Sequence, residues 1–298
     1  MESIQELLKK LCKCIVKSDD GLNYITTSKQ DTPEPGPDPD PPTPQEPEKP
    51  DLDTFDPNVP FCIENVGDVP AKIKYVNIIN SNEAATRSLC KISYDLKTWL
   101  DYDLITAYNE SDPDISEIIL QNKGDRVYIK SNLINDSTLL SFTKFHVSDG
   151  ASIRARGNIA SLTYGSYDDY KTNYLTINHR YCYRDMFSGC TGLIQAPELP
   201  ATTLAERCYQ EMFSHCTNLT QAPELPATTL AETCYYLMFY GCTKLNYVKC
   251  LAKGNTSDYT PDWLYKVSST GDFYTPAATN WKNGSSGIPS GWTRHDIT

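Results

Sequence analysis

The chain has 298 residues, which is room for two or three domains, and 27 basic against 38 acidic residues give a net charge of −11. This acidic balance disfavours a polyanionic partner, so we expect no nucleic-acid binding. No apolar stretch reaches the length of about 18 residues that a membrane span needs, so we expect no membrane insertion.

Residues 1–28 are predicted to form an N-terminal anchor built on an amphipathic helix at residues 3–17. Its apolar side chains share one helical face: Ile4, Leu7, Leu8, Leu11 and Ile15. Because a helix this short is only marginally stable alone, that face is expected to pack on a partner. We interpret the helix as an element that docks into a larger assembly or forms a homotrimer; the alternative is a frayed helix lying on its own chain.

A proline-rich acidic linker is predicted at residues 29–60. Eleven prolines lie between Asp31 and Pro60, and almost no large apolar residue precedes Leu52. Such a composition cannot bury a core and favours an extended, polyproline-like spacer. The anchor and the remaining chain are therefore expected to act at a distance from each other.

Residues 61–156 are predicted to form a β-sandwich-like domain. Alternating or β-rich runs are separated by turn residues and occur at 61–65, 71–79, 90–94, 126–129 and 141–147. Residues 92–99 are similar to the tight hairpin called the Asp-box in sialidases, although the motif glycine is missing and the segment is one residue short. It occurs once, so we interpret Trp99 as hairpin packing.

Residues 157–252 contain a repeat of 26 residues. The block QAPELPATTLAE occupies residues 195–206 and again 221–232, and Cys182, Cys208 and Cys234 recur with the same step. A fixed period of this length predicts stacked units, because one unit alone cannot bury its apolar face.

Each unit is predicted to contain a helix, a turn and a short strand. Leu230, Cys234 and Met238 fall at positions i, i+4 and i+8, which is the spacing of one helical face. Gly241 then stands where a helix can end in a left-handed residue.

This pattern resembles the BspA-type leucine-rich repeat, whose units include the Cys-Thr-x-Leu found here at residues 216–219 and 242–245. The resemblance implies an α/β leucine-rich-repeat solenoid that serves as a binding or spacer module, common in surface proteins of gut bacteria and in phage fibres. Two features depart from the family: the period is longer than usual, and Pro197 and Pro223 lie inside the expected strands, which limits the ladder to about three residues.

The cysteines of the repeat allow three interpretations: reduced core residues, disulfides or zinc ligands. They number seven of the eleven in the chain, and six of them recur every 26 residues. We favour a ladder of reduced core residues over disulfides, and both over zinc, because no Cys-x-x-Cys pair exists.

Residues 253–298 are predicted to cap the repeats. Trp263, Trp281 and Trp292 suit the covering of a last open apolar face. An aromatic platform for a sugar is the alternative use.

No motif for catalysis, metal or cofactor is found. The four histidines, His146, His179, His215 and His295, lie in no metal or nucleophile pattern, and the phosphate-binding and nucleophile motifs are missing. A glycosidase needs two carboxylates about 5 to 10 Å apart, and nothing in the sequence marks such a pair. We therefore expect no enzyme.

The candidate ligand-binding residues are the outward positions of the repeated strands. With Leu219, Ala222 and Leu225 pointing inward, the outward set is Gln195, Glu198, Gln221, Glu224 and Tyr247. Repetition should align these side chains in rows on a surface that repeat proteins use for ligands, although the rows are alternatively only solvated.

These features together favour a non-enzymatic phage virion protein, a head or tail fibre or a decoration protein. Its N-terminus would bind other virion proteins, and its repeats would attach to a glycan or protein of the host surface. A bacterial cell-surface adhesin is the alternative, and a glycan-degrading enzyme is the third reading. The first residues lack a continuous apolar signal region, which favours synthesis in the host cytoplasm and a place on the virion surface.

Overall fold

The computed structural model describes residues 54–79, 87–107, 116–131, 141–163, 169–253 and 258–297. All of them belong to one compact unit. The predicted anchor residues Ile4, Leu7, Leu8, Leu11 and Ile15 lie outside the described residues, as does most of the predicted linker.

The first half of the described chain folds into a sheet of nine strands. Their bounds are β1 Cys62–Asn65, β2 Ala71–Ile79, β3 Arg87–Ser93, β4 Leu100–Ala107, β5 Glu117–Leu120, β6 Arg126–Ser131, β7 Ser141–Val147, β8 Ile153–Arg156 and β9 Leu193–Gln195. The order is β5-β2-β4-β3-β6-β1-β8-β9, and β7 pairs with β2. All five runs expected as strands overlap an observed strand, while β4, β5 and β8 were not predicted.

The sheet encloses part of the core by folding over on itself. The group β5, β2 and β7 joins the other strands where β2 pairs with β4 at residues 77–78 and 106–107. Phe61 lies beside β1 and Phe145 on β7, yet their ring centroids are only 5.4 Å apart. The two groups of strands therefore face each other across buried aromatic side chains.

The hairpin at residues 92–99 is built around Asp95. Its Oδ1 accepts hydrogen bonds from the backbone N–H groups of Lys97 and Thr98, at 2.8 and 2.7 Å. These bonds lower the pKa of the Asp95 carboxyl. Trp99 packs against a small cluster that includes Tyr128, so the segment has a structural role in the sheet.

The predicted α/β leucine-rich-repeat solenoid is wrong. Among the described residues the helices are a 3-10 turn at Ile159–Leu162 and α1 at Tyr170–Asn173, of four residues each. The residues expected on the helical face, such as Cys234 and Met238 and their equivalents in the other units, lie in consecutive turns instead.

Two alternating sets of backbone hydrogen bonds hold these turns. The N–H groups of Arg184, Met186 and Ser188 donate to carbonyls three residues back in the same unit. The intervening N–H groups donate to the next unit, as in Asp185 to the Gln210 carbonyl (3.0 Å) and Phe187 to the Met212 carbonyl (2.9 Å). Each donor therefore has a partner without a helix.

A turn array of this kind imitates a helical sequence pattern. Residues with a left-handed backbone recur at every fourth position, for example Tyr181, Asp185 and Gly189. The inward side chains then recur at i, i+4 and i+8, and over so short a run a period of 4 cannot be distinguished from the helical period of 3.6. This is the physical reason why the helix prediction failed.

Stacked side chains fill the space between the arrays and the strands. Phe187, Phe213 and Phe239 stack with centroids 5.6 and 5.5 Å apart. The stack continues into the nine-stranded sheet, because Phe145 lies 5.4 Å from Phe187. One continuous hydrophobic core therefore runs from the sheet through the repeats.

The structural repeat continues beyond the sequence repeat. Strands β10 Tyr247–Lys249, β11 Gly271–Pro276 and β12 Trp292–Ile297 form a parallel sheet in that order. The backbone N–H of Phe239 donates to the Trp263 carbonyl, as its equivalents do between earlier units. Trp263, Trp281 and Trp292 are buried, so their faces extend the core and are not available to a ligand.

The nine cysteines in the described part of the chain are buried, and no disulfide links any two of them. In each unit a thiol donates to a carbonyl of the preceding layer, as in Cys216 Sγ to the Phe187 oxygen at 3.1 Å. Burial raises the pKa of Cys182, Cys234 and Cys250 to about 12, which keeps these thiols protonated. They behave as small core residues with a weak donor.

We predict that reducing agent leaves the melting temperature unchanged, because no disulfide links the described cysteines. Cys208→Ser should cost about 1 to 3 kcal/mol of unfolding free energy, because it places a hydroxyl in an apolar site. Cys216→Ser should cost less, since its hydroxyl can donate to the Phe187 oxygen in place of the thiol. Thermal and urea unfolding measure both effects, and a marked loss of stability in reductant would contradict this account.

Candidate functional site

The candidate site is the outer surface of the parallel strands, which we call the strand face. Its side chains alternate with buried ones: Val248 is buried between Tyr247 and Lys249, and Phe273 between Asp272 and Tyr274. Parallel pairing then brings the outward residues of neighbouring units side by side.

Two rows cross the strand face. In the first row the pairs are Arg154 with Gln195, Gln221 with Tyr247, Tyr247 with Asp272, and Asp272 with Thr293. In the second row Lys249 pairs with Tyr274 and Tyr274 with His295. Polar and aromatic side chains therefore follow one another from β8 to β12.

A groove of about 710 Å³ lies in the middle of the strand face. Four of the five ligand residues proposed from the sequence line it: Gln195, Glu198, Gln221 and Glu224. The fifth, Tyr247, lines an adjoining hollow of about 500 Å³ that shares Gln221 with the groove. The structure thus brings all five onto one surface.

Prolines and small apolar residues line the groove together with Phe55, Ile194 and Leu199. Pro197 itself is buried, and Pro223 is partly buried and lines the groove. Prolines restrict the backbone, so the polar side chains are carried by a stiff frame. A stiff frame lowers the entropy that binding would cost.

Arg156 orients one of the side chains that line the groove, Gln195. It is buried, and its Nη2 donates to the Gln195 Oε1 at 3.3 Å. The Gln195 amide nitrogen therefore lies on the side away from the guanidinium. Sequence reasoning missed Arg156, although its place at the end of a short alternating run, Ile153–Arg156, was the available signal.

The two glutamates of the groove differ in environment. Burial raises the pKa of Glu198, and the nearby charge of Arg156 offsets this only in part. Glu198 Oε2 is buried, and no described residue donates a hydrogen bond to it. Glu224 is exposed and its Oε2 accepts a hydrogen bond from Lys249 Nζ at 2.8 Å.

Aromatic rings continue the strand face beyond the groove. The rings of Tyr247 and Tyr274 lie 5.1 Å apart, and Tyr274 stacks on His295 at 4.5 Å. Asp272 Oδ1 lies 2.7 Å from His295 Nε2. Asp272, Tyr274 and His295 were not predicted, because the sequence motif ends before them while the structural repeat continues.

The described residues contain neither a candidate metal site nor a candidate membrane span. No cluster of three or more histidine, cysteine or acidic residues there could hold a metal ion. No helix in the same residues is long and apolar enough to cross a bilayer.

No protein-family model, curated protein or solved structure matches this chain. The resemblance to the BspA-type family therefore stays a prediction from the sequence motifs.

We predict that Glu198→Gln becomes more stabilising, relative to the unchanged chain, as the pH rises from about 4 to about 8. A carboxyl whose pKa is raised by folding contributes its stability below its unfolded pKa and loses it as the pH rises through the folded pKa. The amide stays neutral and avoids this loss. Urea unfolding at several pH values measures the difference.

Glu224→Gln is the matched control, because it removes an exposed carboxyl from the same groove. It should lose about 0 to 1 kcal/mol through the missing Lys249 pair. Equal pH dependence in both variants would show that burial of Glu198 is not the cause.

Proposed function

We propose that this chain is a non-enzymatic attachment protein of a phage virion, a fibre or decoration protein whose strand face binds a glycan of the host surface. The observation that carries the proposal is the groove, where amide and carboxyl side chains of successive units converge beside a run of aromatic rings.

The chemistry of the groove suits a sugar. Gln195, Gln221 and Glu224 end in planar polar groups that can each bond two neighbouring hydroxyls. The buried Glu198 oxygen needs a donor, which a sugar hydroxyl would provide. Tyr247, which lines the adjoining hollow, offers an aromatic ring against which the apolar side of a pyranose can pack.

A glycan-degrading enzyme is the second candidate, because Glu198 and Glu224 line the same groove and glycoside hydrolysis uses two carboxyls. We favour binding, because the repeat itself produces this pair: both residues occupy the same place in two identical blocks of sequence. Release of reducing ends from a host glycan, lost in both Glu198→Gln and Glu224→Gln, would instead support the enzyme.

We further propose that the N-terminal helix attaches the chain to other virion proteins as a homotrimer and that the proline-rich segment is the spacer. If the chain is instead a bacterial adhesin, the same strand face would bind the ligand, but the chain would be carried by a bacterial envelope and not by a virion. Detection of the chain in purified virions, as opposed to a bacterial envelope fraction, distinguishes these two carriers.

We predict that the triple variant Gln195→Ala, Gln221→Ala and Tyr247→Ala loses adsorption to host cells and to a host glycan array by tenfold or more. Each truncated polar or aromatic contact costs on the order of 1 kcal/mol, so three together exceed the 1.4 kcal/mol of a tenfold change. Circular dichroism and the melting temperature establish that the variant is folded.

A control variant carries Tyr265→Ala and Glu232→Gln, two exposed residues of the turn segments, which we call the turn side; neither lines the groove or the adjoining hollow. It should bind as the unchanged chain does. Undiminished binding by the folded triple variant would move the ligand away from the strand face.

We predict that deletion of residues 1–28 leaves a folded, glycan-binding chain that no longer enters virions. The reason is that these residues carry the apolar face Ile4, Leu7, Leu8, Leu11 and Ile15, which is proposed to pack on virion partners. Western blotting of purified particles measures incorporation. Particles that still contain the truncated chain would rule out this anchor.

A further inference from the structure

We infer that the ligand is a linear glycan chain with uncharged central residues, which lies across the strands and fills three adjoining hollows of the strand face. This inference rests on the proposed function and adds the shape and the charge of the ligand. A single sugar held in the central groove is the arrangement it excludes.

The three hollows adjoin one another, because each neighbouring pair shares a lining residue. The first has about 460 Å³ and is lined by Glu64, Lys123, Arg154 and Ile194, among others. Ile194 also lines the central groove of about 710 Å³. Gln221 is in turn shared by the groove and the third hollow of about 500 Å³, which Tyr247, Asp272 and Thr293 also line. A ligand can therefore pass from one hollow to the next without leaving the surface.

The first polar row gives the length of this path. It runs in five steps through Arg154, Gln195, Gln221, Tyr247, Asp272 and Thr293; four steps are strand pairings, and the step from Gln195 to Gln221 joins equivalent positions of two successive repeats that line the same groove. With a strand spacing of about 4.8 Å, the row spans about 24 Å. One strand step is similar to the length of one pyranose residue, so a chain of several sugars can meet a new side chain at each residue.

The side chains change along the path. In the first hollow Arg154 donates to the buried Glu64 at 3.2 Å, and Arg126 contacts the same carboxylate, so charges are paired there. In the centre the described residues that line the groove include two carboxyls and no basic side chain, so none of them could pair with an anionic sugar. In the third hollow Tyr247 and Asp272 offer a ring face and an acceptor. The centre therefore favours uncharged sugars.

A peptide fits this path less well. A peptide strand adds to a sheet through an unpaired edge, yet β10 is paired with the Gln221 segment on one side and with β11 on the other. We therefore assign the path to a glycan.

The test uses the full chain and the surface polysaccharide of a host strain to which it adsorbs. The polysaccharide is cleaved and size-fractionated, from disaccharides to octasaccharides, and affinities are measured by calorimetry. We expect the affinity to rise by tenfold or more from the disaccharide to the pentasaccharide or hexasaccharide and then to level off. We also expect little change with salt, because an uncharged chain is not screened.

Two variants at the ends of the path locate the outer hollows. Arg154→Gln and Asp272→Asn should each lower the affinity for the octasaccharide about threefold to tenfold, in line with one lost hydrogen bond, and leave the disaccharide unaffected. Glu232→Gln, an exposed carboxyl on the turn side, is the matched control and should change neither.

The outcomes separate the two proposals. An affinity that is the same for every length, or that falls steeply with salt, overturns this inference while the attachment function stands. Adsorption that does not depend on any polysaccharide fragment, or that survives the triple variant, overturns the glycan-binding function as well.

Discussion

The alternation of backbone hydrogen bonds in the turn arrays is the constraint on which the rest of the structure depends. In the array at residues 181–190, one N–H closes a turn within the unit and the next reaches the following unit. Two units can satisfy each other in this way only if they remain in register, so an insertion within an array would leave donors unpaired. The 26-residue step keeps the arrays aligned, and the strands on the opposite side inherit the alignment.

Because the strands are aligned, side chains from separate units lie next to one another on a single surface. Gln195 and Gln221 share a groove because their units are stacked, and no long-range contact between them is needed. The Phe145 to Phe187 contact joins this stack to the nine-stranded sheet, so β8 and its Arg156 stand in line with the repeats. The groove therefore lies where the nine-stranded sheet meets the repeats with their turn arrays.

The sequence predicted which residues point outward more accurately than it predicted the backbone structure of the repeat. Gln221 and Glu224 were placed outward from the apolar positions around them, and inward or outward position depends only on a local alternation. The helix prediction failed because a period of four over eight residues fits a turn array as well as a helix. Tyr274 and Asp272 were missed because their unit preserves the hydrogen-bond pattern but not the motif. Arg156 was missed because its partner Gln195 lies in another unit, and such pairings are not local in sequence.

The outward side chains of the later units differ from those of the earlier units, so the two ends of the strand face are not equivalent. Identical units alone would offer the same amide and carboxyl at every step, and a ligand could slide along them without preference. Here the amide of Gln221 is followed by the ring of Tyr247 and then by the carboxyl of Asp272, while the buried Trp263 still completes the core beneath them. The core residues keep the repeat, whereas the outward residues vary, because exposed positions change at little cost in stability. A chain-like ligand would then bind in a single register, because the outward side chains differ from unit to unit. The repeated core residues hold the strands that carry these side chains.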